Sequence, residues 1–283
     1  MRIFAPWGKE SITRAAASGE SGYALTMKFV SLAPSATSIL CEIGARRMLV
    51  GVSKWCGDVA DVGGLPRFGD CWHMKDAAAI HALRPDLVIG SVPFRAEALV
   101  ELLKEPVNFL ALNPKTLADI ERDILHLGGI VGREAGARRL VARMRREFSR
   151  VAARAARVVR RSGVVRIYAE AWPNPRIASP PWVAELIAMA GGKMVVKAGA
   201  RVTEADVAAA NPDLILLAWA ATGKKAKVAQ AYRVKEWADV KAVRERRVFV
   251  VQDELVNTPG PPLMRGLKEI ARIVEECRSG GAR

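Results

Sequence analysis

Residues 134–160 read Glu134-Ala-Gly-Ala-Arg-Arg-Leu140-Val-Ala-Arg-Met144-Arg-Arg-Glu-Phe148-Ser-Arg-Val151-Ala-Ala-Arg-Ala-Ala-Arg-Val158-Val-Arg160. Leu140, Met144, Phe148, Val151 and Val158 recur mostly at steps of three or four, and neither Pro nor Gly interrupts the run after Gly136. That period dictates one amphipathic helix. Roughly 25 residues at 1.5 Å each make a rod of about 40 Å, longer than a helix that covers one small sheet. The spacing therefore predicts a strut between two lobes.

On its amino side, residues 28–33 (Lys28-Phe-Val-Ser-Leu-Ala33) read as a strand, and Pro34-Ser-Ala-Thr37 offers hydroxyls to cap a helix that stops at Gly44. Apolar runs at 49–52, 87–89 and 107–112 alternate with helical stretches near 75–83, 96–104 and 116–131. Beyond the strut come a strand at 164–169, a helix at 182–190 stopped by Gly191-Gly192, strands at 214–217 and 248–251, and a closing helix over 263–276. Such alternation argues for parallel βα units. Ala79-Ile-His-Ala-Leu-Arg-Pro-Asp-Leu-Val-Ile89 and Val207-Ala-Ala-Ala-Asn-Pro-Asp-Leu-Ile-Leu216 form a weak repeat, one copy on each side of the strut. Each reads as a helix closed by Pro-Asp and followed by a strand. The expected organisation is an N-terminal extension, 1–27, taken as disordered; an α/β lobe, 28–132; a bridging helix, 133–161; and a second α/β lobe, 162–283.

The net charge is +15, and the eleven arginines from Arg133 to Arg161 stand against only Glu134 and Glu147. A charge run on a helix is ordinarily its solvated face. A polyanion site would want one continuous stripe, whereas Arg138, Arg139, Arg143, Arg145, Arg146, Arg150 and Arg154 are read as covering several faces, so no nucleic-acid partner is expected, and a polyanion or nucleic-acid binder acting through this helix stands as the alternative from a different class of function. Cys41, Cys56, Cys71 and Cys277 form no CxxC pair, which suits reduced thiols. The first 26 residues lack the apolar block of an export signal, and Met27 directly precedes the first strand. The expectation is a cytoplasmic protein, with a periplasmic or cell-surface one as the alternative if the true start differs.

Chemistry-bearing motifs are sparse. Gly128-Gly-Ile-Val-Gly132 lies at a helix end and not after a strand, and no GxSxG elbow occurs. With three histidines, His73, His81 and His126, a zinc site would have to combine Cys71 and His73 with distant acids. No enzyme and no metal site is expected. The tryptophans say more: Trp55, Trp72, Trp172, Trp182 and Trp219 fall at or beyond the ends of expected strands, where open α/β sheets bind ligands. The segments 55–58, 71–73, 170–175 and 252–257 are expected to surround one cleft for a large, flat, partly apolar ligand, with Asp58, Glu170, Asp253 and Asn257 as its polar groups.

Phe29-Val-Ser-Leu-Ala-Pro-Ser-Ala-Thr37, Leu49-Val-Gly-Val-Ser53, Ile80-His-Ala-Leu-Arg-Pro-Asp-Leu-Val88, Ala190-Gly-Gly192, Asn211-Pro-Asp213 and Asn257-Thr-Pro-Gly-Pro261 resemble, as an ordered set, the class III solute-binding proteins, the cobalamin- and ferric-siderophore-binding group. The resemblance implies two Rossmann-like α/β lobes bridged by a single long helix. It also implies a non-enzymatic, monomeric protein that needs no cofactor and clamps its ligand between the lobes. Glu170-Ala-Trp-Pro173 and 179–186 resemble the branch usually labelled cobalamin-binding, with haem and ferric siderophores as the other ligands. It further implies that Trp55 lies against the ligand and Asp253 at the cleft. The family's permease-docking glutamates fall on Ala78 and Ala205, with Asp76, Glu204 and Asp206 only nearby, so an ABC permease partner is not matched.

Overall fold

Alternating apolar runs that are hydrophobic throughout, such as Leu214–Leu217, can pair only inside a sheet covered on both faces. The computed structural model describes residues 27–75, 77–220 and 228–279; residues 1–26, expected as a disordered extension, lie outside the described residues. The first half contains β1 (Phe29–Ser31), α1 (Pro34–Glu42), β2 (Leu49–Ser53), β3 (Arg67–Phe68), α2 (Ala77–Ala82), β4 (Leu87–Ser91), α3 (Ala96–Leu102), β5 (Phe109–Leu112) and α4 (Leu117–Ile130). The strut follows as α5 (Glu134–Ser162). The second half contains β6 (Val165–Pro173), β7 (Arg176–Ala178), α6 (Pro181–Met189), β8 (Gly192–Met194), α7 (Glu204–Ala210), β9 (Leu214–Leu217), α8 (Val228–Ala231), α9 (Lys241–Arg244), β10 (Val248–Val250), α10 (Asp253–Val256) and α11 (Leu263–Arg278).

The first sheet has the order β3-β2-β1-β4-β5 and is parallel throughout, with Phe29 opposite both Leu49 and Leu87. The second has the order β10-β9-β6-β7, with β8 also pairing β6. Here the structure departs from the reading of a strand ending at 169, because β6 continues to Pro173 and turns back antiparallel as β7. Glu170 ends the apolar run in the sequence, yet it remains inside the strand because Arg176 of β7 supplies its counter-charge at 2.8 Å. A second departure is at α1. Its N-cap is Ala33 with no side-chain cap, and the Thr37 hydroxyl instead bonds Ser31 Oγ at 2.8 Å and reaches Cys56 Sγ at 3.0 Å. Burial decides this: Ser31, Thr37 and Cys56 are sealed from water, so their polar atoms must satisfy one another.

The Pro-Asp repeat is structural. In each copy the residue before Pro, Arg84 or Asn211, takes a positive φ and ends its helix. The Asp carboxylate then accepts from the backbone N–H of Lys28 (2.6 Å) or Arg166 (2.9 Å), and its own N–H donates to the same residue's carbonyl. The two copies thus pin β4 beside β1 and β9 beside β6 by the same bond pair.

Helix α5 buries Gly136, Ala137, Leu140, Val141, Met144 and Phe148 and packs against α4, α6 and α11. A side chain at Gly128 would collide with Ala137, and one at Gly136 would come within 2.8 Å of the Ile43 carbonyl, so both glycines permit close helix contact. One apolar core runs without a break from Phe29, Ile39 and Ile124 through Leu140 and Met144 to Leu186, Leu214 and Ile270. Helix α4 returns the chain from the carboxyl end of β5 to the amino edge of the first sheet, and Ser162 is followed almost at once by the amino end of β6. Both ends of α5 therefore lie at the amino edges of the sheets, away from the loops at their carboxyl edges.

A shared core of this kind predicts one cooperative unfolding transition. Met144→Ala, at a position 1% exposed, should cost about 2–5 kcal/mol. Denaturant midpoints from circular dichroism and tryptophan fluorescence should fall together. Separate transitions for the two probes would show that the halves unfold independently.

Candidate functional site

At the carboxyl edge of the first sheet, β2 leads into Lys54-Trp55 and β3 into Gly69-Asp70-Cys71-Trp72-His73. Asp70 organises both. Its carboxylate accepts from the Trp55 indole N–H (2.8 Å) and from the backbone N–H groups of Trp72 (2.9 Å) and His73 (2.7 Å), and His73 Nδ1 lies 3.4 Å away. This is an Asx-type turn with an aromatic ring attached to it. Burial alone would raise the Asp70 carboxyl, but the two backbone donors and the indole outweigh it and hold the group below its ordinary value. A side chain at Gly69 would strike the His73 carbonyl, which leaves only glycine able to close the turn.

Cys71 is buried beneath the turn, and its carbonyl accepts from Arg95 N–H at 3.1 Å, joining this loop to the one after β4. Trp72 beside it is 44% exposed. The Arg95 guanidinium lies 6.0 Å from the Trp72 ring centre and the Lys54 ammonium 4.8 Å from that of Trp55. Both tryptophans are thus flanked by cations within cation–π range. Asp70, His73, Lys54 and Arg95 were not among the residues singled out in the sequence as contacting a ligand. Asp70 was legible as a turn-former directly before Cys71-Trp72-His73, whereas the cations meet the rings only through the fold.

The second sheet treats its residues differently. Glu170 is 0% exposed and accepts from Tyr168 Oη (2.6 Å), Arg176 Nη1 (2.8 Å) and Trp219 Nε1 (2.8 Å). Arg176 also bonds Glu204 at 2.9 Å and stacks 4.4 Å from the centre of the Trp237 ring. Burial and the adjacent carboxylate push the Tyr168 hydroxyl well up, so it stays a donor. Glu170 and Trp219 are therefore parts of an internal network and do not present polar or stacking surface to a ligand. Trp182 is likewise internal: it is 7% exposed, belongs to the shared core, and donates to the Val256 carbonyl at 2.9 Å. These three corrections share one cause, since a tryptophan or acid near a strand end can point inward as readily as outward.

Trp172 remains on the hairpin surface, 39% exposed, with its indole bonded to the Asn174 carbonyl. Asn257, half-buried, donates to the Ala218 carbonyl at 2.6 Å and braces the loop after β9. Asp253 is half-buried in the first turn of α10, and Asp58 is exposed in the turn after Trp55. Among the described residues no group of three or more His, Cys, Asp and Glu could hold a metal ion. Burial raises the Cys71 thiol to about 12, so it is no ready thiolate partner for His73.

A family model described as "Periplasmic binding protein" matches residues 29–255. The uncharacterized ABC transporter substrate-binding lipoprotein YvrC of Bacillus subtilis (strain 168) is 25% identical over 257 residues, 87% of this chain and 79% of that protein. The periplasmic heme-binding protein RhuT from Roseiflexus sp. RS-1, in apo form, has a TM-score of 0.73 at 21% identity, covering 89% of this chain and 99% of that one. The periplasmic vitamin B12 binding protein BtuF of Vibrio cholerae has a TM-score of 0.70 at 20% identity, covering 88% and 97%. A periplasmic heme binding protein from Pseudomonas aeruginosa has 0.76 at 21%, covering 88% and 92%. These relatives, periplasmic proteins and a lipoprotein, overturn the expectation of a cytoplasmic protein and point to an extracytoplasmic location. A missing apolar block was negative evidence, and it carries no weight against them.

Two substitutions separate the outward carboxylate from the inward one. A carboxyl held low in the fold adds stability above its unfolded value of about 3.9, and the gain disappears as pH falls through the folded value. Asp70→Asn should therefore lower the urea midpoint at pH 7, with a gap that narrows as pH falls below the ordinary carboxylate range. Glu170→Gln strips the charge from a buried pair and should cost on the order of 3–5 kcal/mol, measured by denaturant unfolding at neutral pH. A stable Glu170→Gln protein would show that the network is not structural.

Proposed function

The chain belongs to the periplasmic binding protein family, and on that premise we propose that it is an ABC transporter substrate-binding protein for a planar metal tetrapyrrole. A corrinoid, cobalamin above all, is the ligand the site suits first. The observation that carries this reading is the pair Trp55 and Trp72, set at one sheet edge by the single carboxylate Asp70. A flat macrocycle presents faces to such rings, and its periphery needs a few polar groups. Asp58, Asp253 and Asn257 are suited to amide substituents, and exposed Trp172 supplies an aromatic surface from the other sheet. The lobes taken as 28–132 and 162–283 hold the ligand from two sides without catalysis or a resident cofactor.

One observation favours haem as the second reading. His73 projects an exposed imidazole beside Asp70, and Lys54 and Arg95 stand at the same edge. An exposed imidazole can serve as an axial donor to the iron, and two cations suit propionates.

Delivery to a permease draws on the first turns of α2 and α7. Asp76 lies outside the described residues, and Asp206 is occupied in capping Thr203. Glu204, half exposed although bonded to Arg176, is the acid that α7 presents.

The purified protein should change the absorption spectrum of cobalamin or of haem saturably, and the ligand should quench tryptophan fluorescence. Trp55→Ala should weaken binding by about 1–3 kcal/mol, roughly five- to 150-fold, and leave thermal unfolding little changed. His73→Ala should abolish an axial-ligation spectrum if haem is the ligand and leave cobalamin binding intact. Parental affinity in Trp55→Ala would overturn the stacking role.

A further inference from the structure

Helix α5 sorts its arginines. Three meet acids of the elements packed beside it: Arg143 with Glu42 of α1, Arg145 with Glu121 of α4, and Arg154 with Glu275 of α11. At 100° per residue, Arg139, Arg146, Arg150 and Arg157 lie within about 20° of one line down the opposite side from buried Phe148, over about 27 Å, with Arg143 and Arg161 about 40° to one side of it. All four on the line are exposed. Arg150 pairs with Glu147 one turn earlier, and Arg139, Arg146 and Arg157 make no ion pair among the described residues. The sequence reading spread the arginines over several faces; Arg138 and Arg160 do lie exposed off the line, and the line itself, one stripe, is the longest aligned set.

We propose that this stripe is a docking surface for an anionic lipid bilayer. The setting rests on the extracytoplasmic reading above; the chemistry rests on the stripe alone. Guanidinium groups at steps of seven and four residues along a rod present a linear array that matches a plane of phosphate headgroups. Beside them Ala142, Ser149, Ala153 and Ala156 are small and exposed, so these positions of the helix itself put no bulky side chain next to the line. The only aromatic residue of α5, Phe148, is buried, which removes the stacking that single-stranded nucleic acid binding uses. Because both ends of α5 lie at the amino edges of the sheets, a bilayer beneath the helix leaves Trp55 and Trp72 facing the surrounding medium. The docked protein can collect ligand, and it must leave or turn over to hand the ligand to a membrane-embedded partner.

Sedimentation of the full chain with lipid vesicles tests this. Vesicles containing phosphatidylglycerol should capture the protein at low salt and release it as salt rises, and pure phosphatidylcholine vesicles should not. The triple variant Arg139→Gln, Arg146→Gln, Arg157→Gln should partition on the order of a hundredfold less. A control triple at exposed cations elsewhere, Arg233→Gln, Lys235→Gln, Arg244→Gln, removes the same charge and should stay near the parent. Equal loss in both triples would reduce the effect to net charge and overturn the stripe. Equal binding to pure phosphatidylcholine, or displacement from anionic vesicles by equimolar duplex DNA, would overturn the lipid assignment. Cobalamin and haem titrations of the stripe variant should match the parent. Failure of the parent to take either ligand would instead sink the ligand reading and leave the vesicle result standing.

Discussion

The buried face of α5 is the constraint on which the rest of the molecule depends. Leu140, Val141, Met144 and Phe148 are covered from one side by α4 and from the other by α6 and α11, so a single apolar core belongs to both sheets. Gly128 and Gly136 let the backbones approach closely enough for that core to close. A continuous helix held this way resists bending. The spacing between the two sheet edges, and hence the width of any cleft there, is fixed by a rod and not by a flexible crossover.

Two carboxylates show how one residue type serves opposite ends within that frame. Asp70 sits at a sheet edge and uses its oxygens on a turn and an indole, which sets the orientation of side chains facing out. Glu170 sits inside a strand and spends its oxygens on Tyr168, Arg176 and Trp219, which ties the hairpin, β9 and α7 into one body. Removing water from a charge demands full compensation. Glu170 receives three donors for that reason, and at 0% exposure it presents no oxygen at the surface.

The arginines of α5 follow the same electrostatic logic at the surface. Acids on α1, α4 and α11 neutralise the helix where it enters the body, and on its outer line only Arg150 meets an acid, Glu147 of the same helix, among the described residues. Arg160 and Arg161 in the last turn also oppose the carbonyl end of the helix dipole. The arginines of the outer line therefore lie on the side of α5 turned away from the body.

The long helix, the βα alternation and the Pro-Asp repeat could be read directly from residue order, because each is a local pattern of apolar spacing or backbone-breaking residues. The strand β9 follows the apolar run 214–217 to the residue, and α5 exceeds its expected 134–160 by two residues. The hairpin after Glu170 and the true roles of Trp182, Trp219, Glu170 and Thr37 could not be read this way. Whether a tryptophan near a strand end faces a cleft or the core depends on what lies across from it. That neighbour can be 74 residues away, as Val256 is from Trp182. Periodicity places a residue on a face of its own element; only the packing of distant elements decides whether that face meets water, a ligand or the interior.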